Sequence, residues 1–401
     1  MSKIDDLIQE LCPDGVEYKK LKEVANYSTS RIDSKLISKG SYVGVNELLQ
    51  DYKGRSNIVR LPNEDRCIAF FEKDILLGNI RPYLKKAWLA NCSGGTNGDV
   101  LVIRVLDNLV LKPEFLYQII ISNRFTQYNV QNSRGAKMPR GDKKAILEFE
   151  VPVPPIEVQE EIVRVLDSFA ELEAELEAEL EARRRQYAYY RDSLISPDES
   201  WHFCKVIDLL TQPITDGPHE TPVFYSEGIP FISAEAIQNN KIDLNKMRGF
   251  ISNEYSSQCR KKYTPKKDDI FIVKSGSTTG KVAYVDVEPN FDIWSPIAAL
   301  RVNSDNSSRF VYHLIQTSWF RRRLELVKSK GSQPNLSMRK IESIAVSVPP
   351  LSEQQRIVDI FDKFDALVND ISEGLPAEIE ARRKQYEYYR DKLLTFKKKE
   401  D

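Results

Sequence analysis

The 401-residue chain carries one twelve-residue segment twice. Residues 181–192 read EARRRQYAYYRD and residues 380–391 read EARRKQYEYYRD, identical at ten of the twelve positions. Identity of that kind inside one polypeptide marks a duplication, and the period of 380 − 181 = 199 residues divides the chain into two halves, each ending in the same segment. The repeat begins further upstream. Val153-Pro154-Pro155 answers Val348-Pro349-Pro350, and aligning Gln159 with Gln354 brings Ile162, Asp167, Phe169 and Leu172 onto Ile357, Asp362, Phe364 and Leu367 at an offset of 195. The second copy therefore holds four extra residues, placed near Ser372-Glu373-Gly374-Leu375-Pro376.

The duplicated segments predict long helices. Neither Pro nor Gly interrupts Glu157 to Leu194, and Ile162, Leu166, Phe169, Leu172, Leu176 and Leu180 form an apolar stripe at spacings of three and four. At ~1.5 Å per residue this is a rod of ~57 Å. Residues 171–182 are ELEA three times over. The partner stripe is Ile357, Phe361, Phe364, Leu367 and Ile371; Gly374 and Pro376 then end or kink that helix, and a new one runs Ala377 to Phe396. A stripe on so long a rod is too extended to bury on a small body. Two such helices in one chain can bury it on each other, as an antiparallel coiled coil.

Residues 1–152 and 200–347 read as two diverged copies of a mixed body. Short apolar runs bounded by turn residues predict strands at Tyr42–Val45, Cys67–Phe71, Asp74–Leu77 and Val100–Ile103 in the first, and at Gly228–Ile232, Asp269–Val273, Val282–Val285 and Ile297–Val302 in the second. Ile4–Leu11, Pro113–Gln127 and Phe310–Lys328 predict helices. Each body then has a polar, basic loop, SRGAKMPRGDKK (133–144) or SKGSQPNLSMRK (329–340), before a final strand, Ile146–Val153 or Ile341–Val348. The expected fold class is α+β: two similar β-rich α/β bodies joined by helical regions at 153–199 and 348–401.

Charge follows this division. Net charge is −1 overall, but it is +4 over 1–152 (23 basic, 19 acidic) and −8 over 153–199 (5 and 13). It is +5 over 200–347 (20 and 15) and −2 over 348–401 (10 and 12). The five cysteines form no CxxC pair and only three histidines are present, which argues against a structural metal site and suits a reducing cytoplasm. No apolar run approaches a membrane span, and MSKIDDLIQE is no signal peptide.

Little in the chain points to catalysis. Lys274-Ser275-Gly276-Ser277-Thr278-Thr279-Gly280-Lys281 invites a phosphate-loop reading, but its glycines enclose three residues rather than four, and Val282 stands where Ser or Thr is needed. A tight turn between strands explains the glycines, and Ser, Thr and Lys side chains suit DNA phosphates and base edges. The equivalent loop of the first body offers Asn79, Arg81, Lys85 and Lys86. From the matched polar loops come Arg134, Lys137, Arg140 and Lys143, and Gln333, Asn335, Ser337 and Arg339. Gln and Asn can grip adenine with two hydrogen bonds and Arg can grip guanine, although either loop taken alone could be ordinary solvated surface. The paired tyrosines Tyr189-Tyr190 and Tyr388-Tyr389 suit packing against a protein neighbour better than base stacking. His219 and His313 have no nucleophile or carboxylate at motif spacing, and no methyltransferase motif, glycine-rich cofactor fingerprint or HExxH occurs.

VPPIEVQEEIV (153–163), VPPLSEQQRIV (348–358), the two EARR(R/K)QY blocks, GLPAEIEARRKQYEYYRDKLL (374–394), KSGSTTGK and GSQPNLS together resemble the specificity (S) subunits of type I restriction–modification systems. The resemblance covers the whole chain. It implies two target recognition domains, each reading one half of a split, asymmetric double-stranded DNA site, and a pair of helices that fixes the gap. It further implies that those helices dock two methyltransferase (M) subunits, for which Gln159, Tyr187, Tyr190, Gln354, Tyr386 and Tyr389 are the expected contacts, and that restriction (R) subunits join. S-adenosylmethionine, ATP and Mg would belong to those partners, this chain would bind no cofactor, and its setting would be the prokaryotic cytoplasm. The recognition bodies vary within the family, so no base preference carries over. A coiled-coil adaptor with two protein-binding domains is the alternative; a self-contained enzyme lacks its motifs.

Overall fold

The structure is a computed structural model describing residues 3–38, 40–56, 58, 60–62, 64–329, 334–369 and 374–400. The chain forms two compact units. One comprises Met1–Leu176 with Ile379–Asp401, the other Glu177–Glu378. Each unit thus takes one body, part of the helix that follows it, and the repeated twelve-residue block of the other half.

In the first unit a four-stranded antiparallel sheet runs Ala25–Tyr27, Val100–Val105, Ile75–Gly78, Ala87–Leu89. Its central strands are unbroken apolar runs because both faces are covered. Alternate side chains point to opposite faces: Ile75, Leu77, Leu101 and Ile103 enter a core shared with the helices, while Leu76, Val100 and Val102 enter a second core with Phe70 and Trp88. The second core is closed by a three-stranded sheet of Arg31–Asp33, Arg66–Phe70 and Gly94–Thr96. Burying each such Ile, Leu or Val stabilises by about 1.5–3 kcal/mol.

The second unit repeats the plan. Thr215–Asp216, Ile297–Leu300, Ile270–Val273 and Val282–Tyr284 form the four-stranded sheet, with Ile270 and Ile272 facing one core and Phe271 and Val273 the other. Even the ion pair under each sheet recurs: Arg104 holds the buried Asp74, and Arg301 the buried Asp269.

Several sequence expectations change. Pro113–Gln127 is two helices, Pro113–Ile120 and Asn123–Gln131, because the Ser122 hydroxyl accepts the Phe125 amide and starts a new helix. Thr317 does the same between Ser308–Leu314 and Ser318–Val327. The final strands begin later, at Glu150 and Ala345, since short helices Lys143–Leu147 and Met338–Glu342 precede them. Tyr42–Val45 makes a single bridge, Tyr42 to Gly95, and no strand.

The long helix is Ile156–Leu194, followed in the second half by Leu351–Asn369 and Leu375–Leu393, with Pro376 tolerated in the first turn. Inside the first unit the helix pairs antiparallel with the C-terminal helix: Phe169 stacks on Tyr389 and Glu173 binds Arg383. Inside the second unit its later part packs on Leu351–Asn369, where Tyr187 and Tyr190 meet Phe364. The expected stripe is uneven. Ile162 and Leu166 are buried, whereas Leu172 is exposed. Ile371 and the Ser372-Glu373 part of the insertion lie outside the described residues.

Candidate nucleic-acid interface

In each body the two polar loops singled out from sequence are stitched together by backbone hydrogen bonds. In the first, Arg81 N donates to Pro139 O (2.7 Å), Gly141 N to Asn79 O (3.1 Å) and Arg134 N to Arg140 O (2.8 Å). In the second, Gly276 N donates to Pro334 O (3.3 Å), Leu336 N to Lys274 O (2.7 Å) and Ser329 N to Asn335 O (2.9 Å). Every one of these positions is related by 195 residues, and the bridge Ile80–Arg140 likewise becomes Ser275–Asn335. A common frame is preserved while the side chains on it differ.

Both frames contain left-handed backbone. Arg81 and Lys85 flank the turn Pro82–Leu84 with φ of 52° each, an unfavourable state for residues with a Cβ. In the second body Gly276 (φ 98°) and Gly280 (φ 95°) take the turn. The loop containing them runs from strand Ile270–Val273 into strand Val282–Tyr284, not into a helix, so it is no phosphate-binding loop.

Placement sorts the candidates. Arg81, Lys137 and Lys143 are exposed, and no ion pair engages them among the described residues. Arg134 pairs with Asp142 at 2.7 Å and Arg140 with Asp99 at 3.4 Å, both at the surface. Asp142 also accepts the Ala145 and Lys144 amides, and those two bonds hold its carboxyl below the usual range. Asn79 is buried and Lys86 turns inward to donate to Val45 O; burial pushes the Lys86 ammonium pKa down. Lys85 is half-buried.

In the second body Ser277, Asn335 and Arg339 are exposed, and Ser275, Thr278, Lys281 and Ser337 are half-buried. The Thr279 hydroxyl donates to Gly276 O and lies within bonding distance of Pro334 O. Lys274 corrects the sequence reading. Its side chain is only 12% exposed, and its ammonium lies 2.6 Å from the buried Asp216. Burial alone would raise the Asp216 pKa; Lys262 and Lys274 override it and hold it down. Lys262 converges on the same carboxylate and was missed because nothing in sequence spacing joins it to Asp216. His219, read from sequence as lacking a carboxylate at motif spacing, lies 3.2 Å from Asp216, three residues earlier in the chain. Gln333 lies outside the described residues.

The helix residues expected to contact partners are mostly consumed internally. Gln159 is buried; its Oε1 accepts Lys112 N and its Nε2 donates to Val110 O and Pro154 O. Gln354 repeats this with Ser307 N and Pro349 O. These amides tie helix to body and offer a partner nothing, a correction to the expected contact. Tyr187 is buried against Phe361 and Phe364, and Tyr386 donates to Gln118. Tyr190 and Tyr389 lie on Phe364 and Phe169. His313, Asp362 and Asp365 lie close together, but Arg309 donates to both carboxylates.

The model of the type I restriction modification DNA specificity domain matches twice, over residues 13–182 and 220–381. The chain belongs to the type I restriction–modification DNA specificity family. A Haemophilus influenzae protein assigned as a type I restriction enzyme specificity subunit is 31% identical over 95% of this chain and 96% of its own length. The EcoR124I/EcoR124II specificity subunit of Escherichia coli is 34% identical over 62% of each chain. A chain from a structural study of complex assembly in a type I restriction–modification system superposes with a TM-score of 0.60 at 19% identity, covering 95% of this chain and 97% of that one. The present chain is therefore a specificity subunit with two DNA-recognition domains, and the stitched loops lie one pair in each. No helix among the described residues is long and apolar enough to cross a membrane.

Proposed function

We propose that each stitched loop pair is the surface with which its domain reads one half of a bipartite DNA site. The observation that carries this is the common backbone frame bearing different base-edge chemistry: Arg140 in the first domain stands where Asn335 stands in the second. Arginine pairs with guanine O6 and N7, asparagine with adenine N6 and N7, so one scaffold serves two different half-sites. Arg81, Lys137 and Lys143 on one frame, and Lys281 and Arg339 on the other, supply phosphate contacts.

The helices set the unread gap and dock two methyltransferase subunits, with restriction subunits joining the complex. Methyl transfer from S-adenosylmethionine and ATP- and Mg-dependent cleavage reside in those partners, and this chain contributes recognition without catalysis. Mapping methylated sites in cells carrying this chain with its methyltransferase partner tests the reading. Two short, unlike sequences separated by a constant gap are expected; a single continuous site, or no site, contradicts it.

A further inference from the structure

The turn Pro82–Leu84 of the first domain carries a strain that the second domain avoids. Arg81 and Lys85 hold left-handed backbone, whereas the equivalent positions 195 residues later are Gly276 and Gly280. Glycine takes that conformation freely, and a residue with a Cβ does not. The turn is nonetheless pinned: Tyr52 N donates to Lys85 O (2.7 Å), Asp51 N to Leu84 O (3.3 Å), and Pro82 is buried. Strain of this kind clusters at functional sites, where the surrounding structure holds it in place.

What the pinned turn presents is Tyr83. It is 52% exposed, and no side-chain hydrogen bond or ring contact engages it among the described residues. The facing loop presents Met138, 47% exposed, from within the hairpin closed by the paired backbone bonds of Arg134 and Arg140. The two loops are joined at this place, since Arg81 N donates to Pro139 O. One exposed apolar side chain is ordinary. Two on adjoining loops, among the exposed cations Arg81, Lys137 and Arg140, make a small apolar spot in a cationic rim. The rim suits a polyanion, and the apolar feature that a DNA duplex offers among its base edges in the major groove is the C5 methyl of thymine.

We propose that Tyr83 and Met138 form an apolar contact with the C5 methyl of a thymine in the half-site read by the first domain. The inference rests on the functional reading above and adds a base to it. Met138 is two residues from Arg140, a chain length of ~7 Å, which is the rise of about two base pairs. The thymine therefore lies close to the base that Arg140 reads. Gln333 stands in place of Met138 in the second domain, so that position carries hydrogen-bonding chemistry there and not a methyl contact.

The test uses the full chain assembled with its methyltransferase subunit and duplexes carrying the mapped site. Each thymine of the first half-site, on either strand, is replaced in turn by deoxyuridine, which lacks only the methyl group. The wild type is expected to lose about fourfold in affinity at one position, the worth of one buried methyl. The double variant Tyr83→Ala, Met138→Ala should bind the thymine and deoxyuridine duplexes equally at that position, and Tyr83→Phe should keep the wild-type difference. Unchanged thermal melting of the variants is expected from the exposure of both side chains; a lowered melt would mean that they are structural and would overturn the proposal. A first half-site without thymine overturns it, as does a wild type indifferent to every replacement or a double variant that still senses the methyl. A double variant weakened equally on all duplexes, in a wild type indifferent to the methyl, would assign the two side chains to stacking or backbone contact and overturn it too. A chain whose first domain specifies no half-site refutes the functional reading itself.

Discussion

The Tyr386 hydroxyl donates to Oε1 of Gln118 at 2.9 Å, joining the C-terminal helix to a body helix 268 residues earlier in the chain. Gln118 is buried, and its amide nitrogen reaches Asp167 on the long helix at 3.4 Å. The equivalent tyrosine of the second unit, Tyr187, faces His313 at 3.4 Å. Both seams are closed by a tyrosine from the repeated block and a buried polar residue from the body.

Removing one partner of such a bond leaves the other buried and unsatisfied. Tyr386→Phe should destabilise the first unit by about 1–3 kcal/mol. Thermal or urea denaturation checks this, and Gln118→Leu made together with it should restore part of the loss. A single variant as stable as the wild type would show that the bond is not structural.

His313 makes the second seam sensitive to acid. Burial, then Arg309 and Arg191, push its pKa well below the ordinary 6.5. The unfolded chain takes up a proton near that ordinary value while the folded chain does not, so stability is complete above it and falls as pH drops below it. His313→Gln, the residue its equivalent position already carries as Gln118, removes the titration. Melting temperatures between pH 7 and 5 should fall more steeply in the wild type than in the variant. Parallel curves would contradict the assignment.

The loop cations divide into two classes. Lys137→Ala, Lys143→Ala and Arg81→Ala should leave stability unchanged and each reduce the salt dependence of DNA binding by about 0.9 for every phosphate that the side chain neutralises. Lys274→Ala should act on folding instead, by about 1–3 kcal/mol, because it strips a partner from the buried Asp216. Salt-titrated DNA binding and denaturation of the same variants separate the two. Asn335→Ala should relax preference at one base pair, at ~1–3 kcal/mol of discrimination.

The ELEA repeats lie within the uninterrupted helix Ile156–Leu194. Losing one unit of four residues shortens that helix by ~6 Å and adds about 40° beyond a full turn. DNA rises ~3.4 Å per base pair. The methylated site should therefore keep both half-sequences and change its gap by about one base pair. Mapped sites for two-repeat and four-repeat variants check this; an unchanged gap would mean that the helix is not the ruler.

The sequence made the duplication, the long helix and the central strands legible, because identity, uninterrupted periodicity and unbroken apolar runs are local signals. Strands such as Ile75–Gly78 and Ile270–Val273 were recognisable for that reason. The broken helices at Ser122 and Thr317 were not, since one capping hydroxyl decides them and the apolar pattern runs across the break. Both polar loops of each body were visible, but not their pairing, which rests on backbone bonds that no side chain announces. The role of Gln159 and Gln354 was misread for a related reason. The family resemblance implied an external contact there, and only packing reveals that each amide is spent on carbonyls and an amide of its own body.

The central claim is that two diverged domains on one repeated frame read two independent half-sites. Exchanging residues 200–347 for the second domain of another family member, and mapping methylated sites in cells that carry the partner subunits, tests it most directly. The account predicts that one half-site changes while the other half-site and the gap remain. A simultaneous change in both half-sites would contradict it.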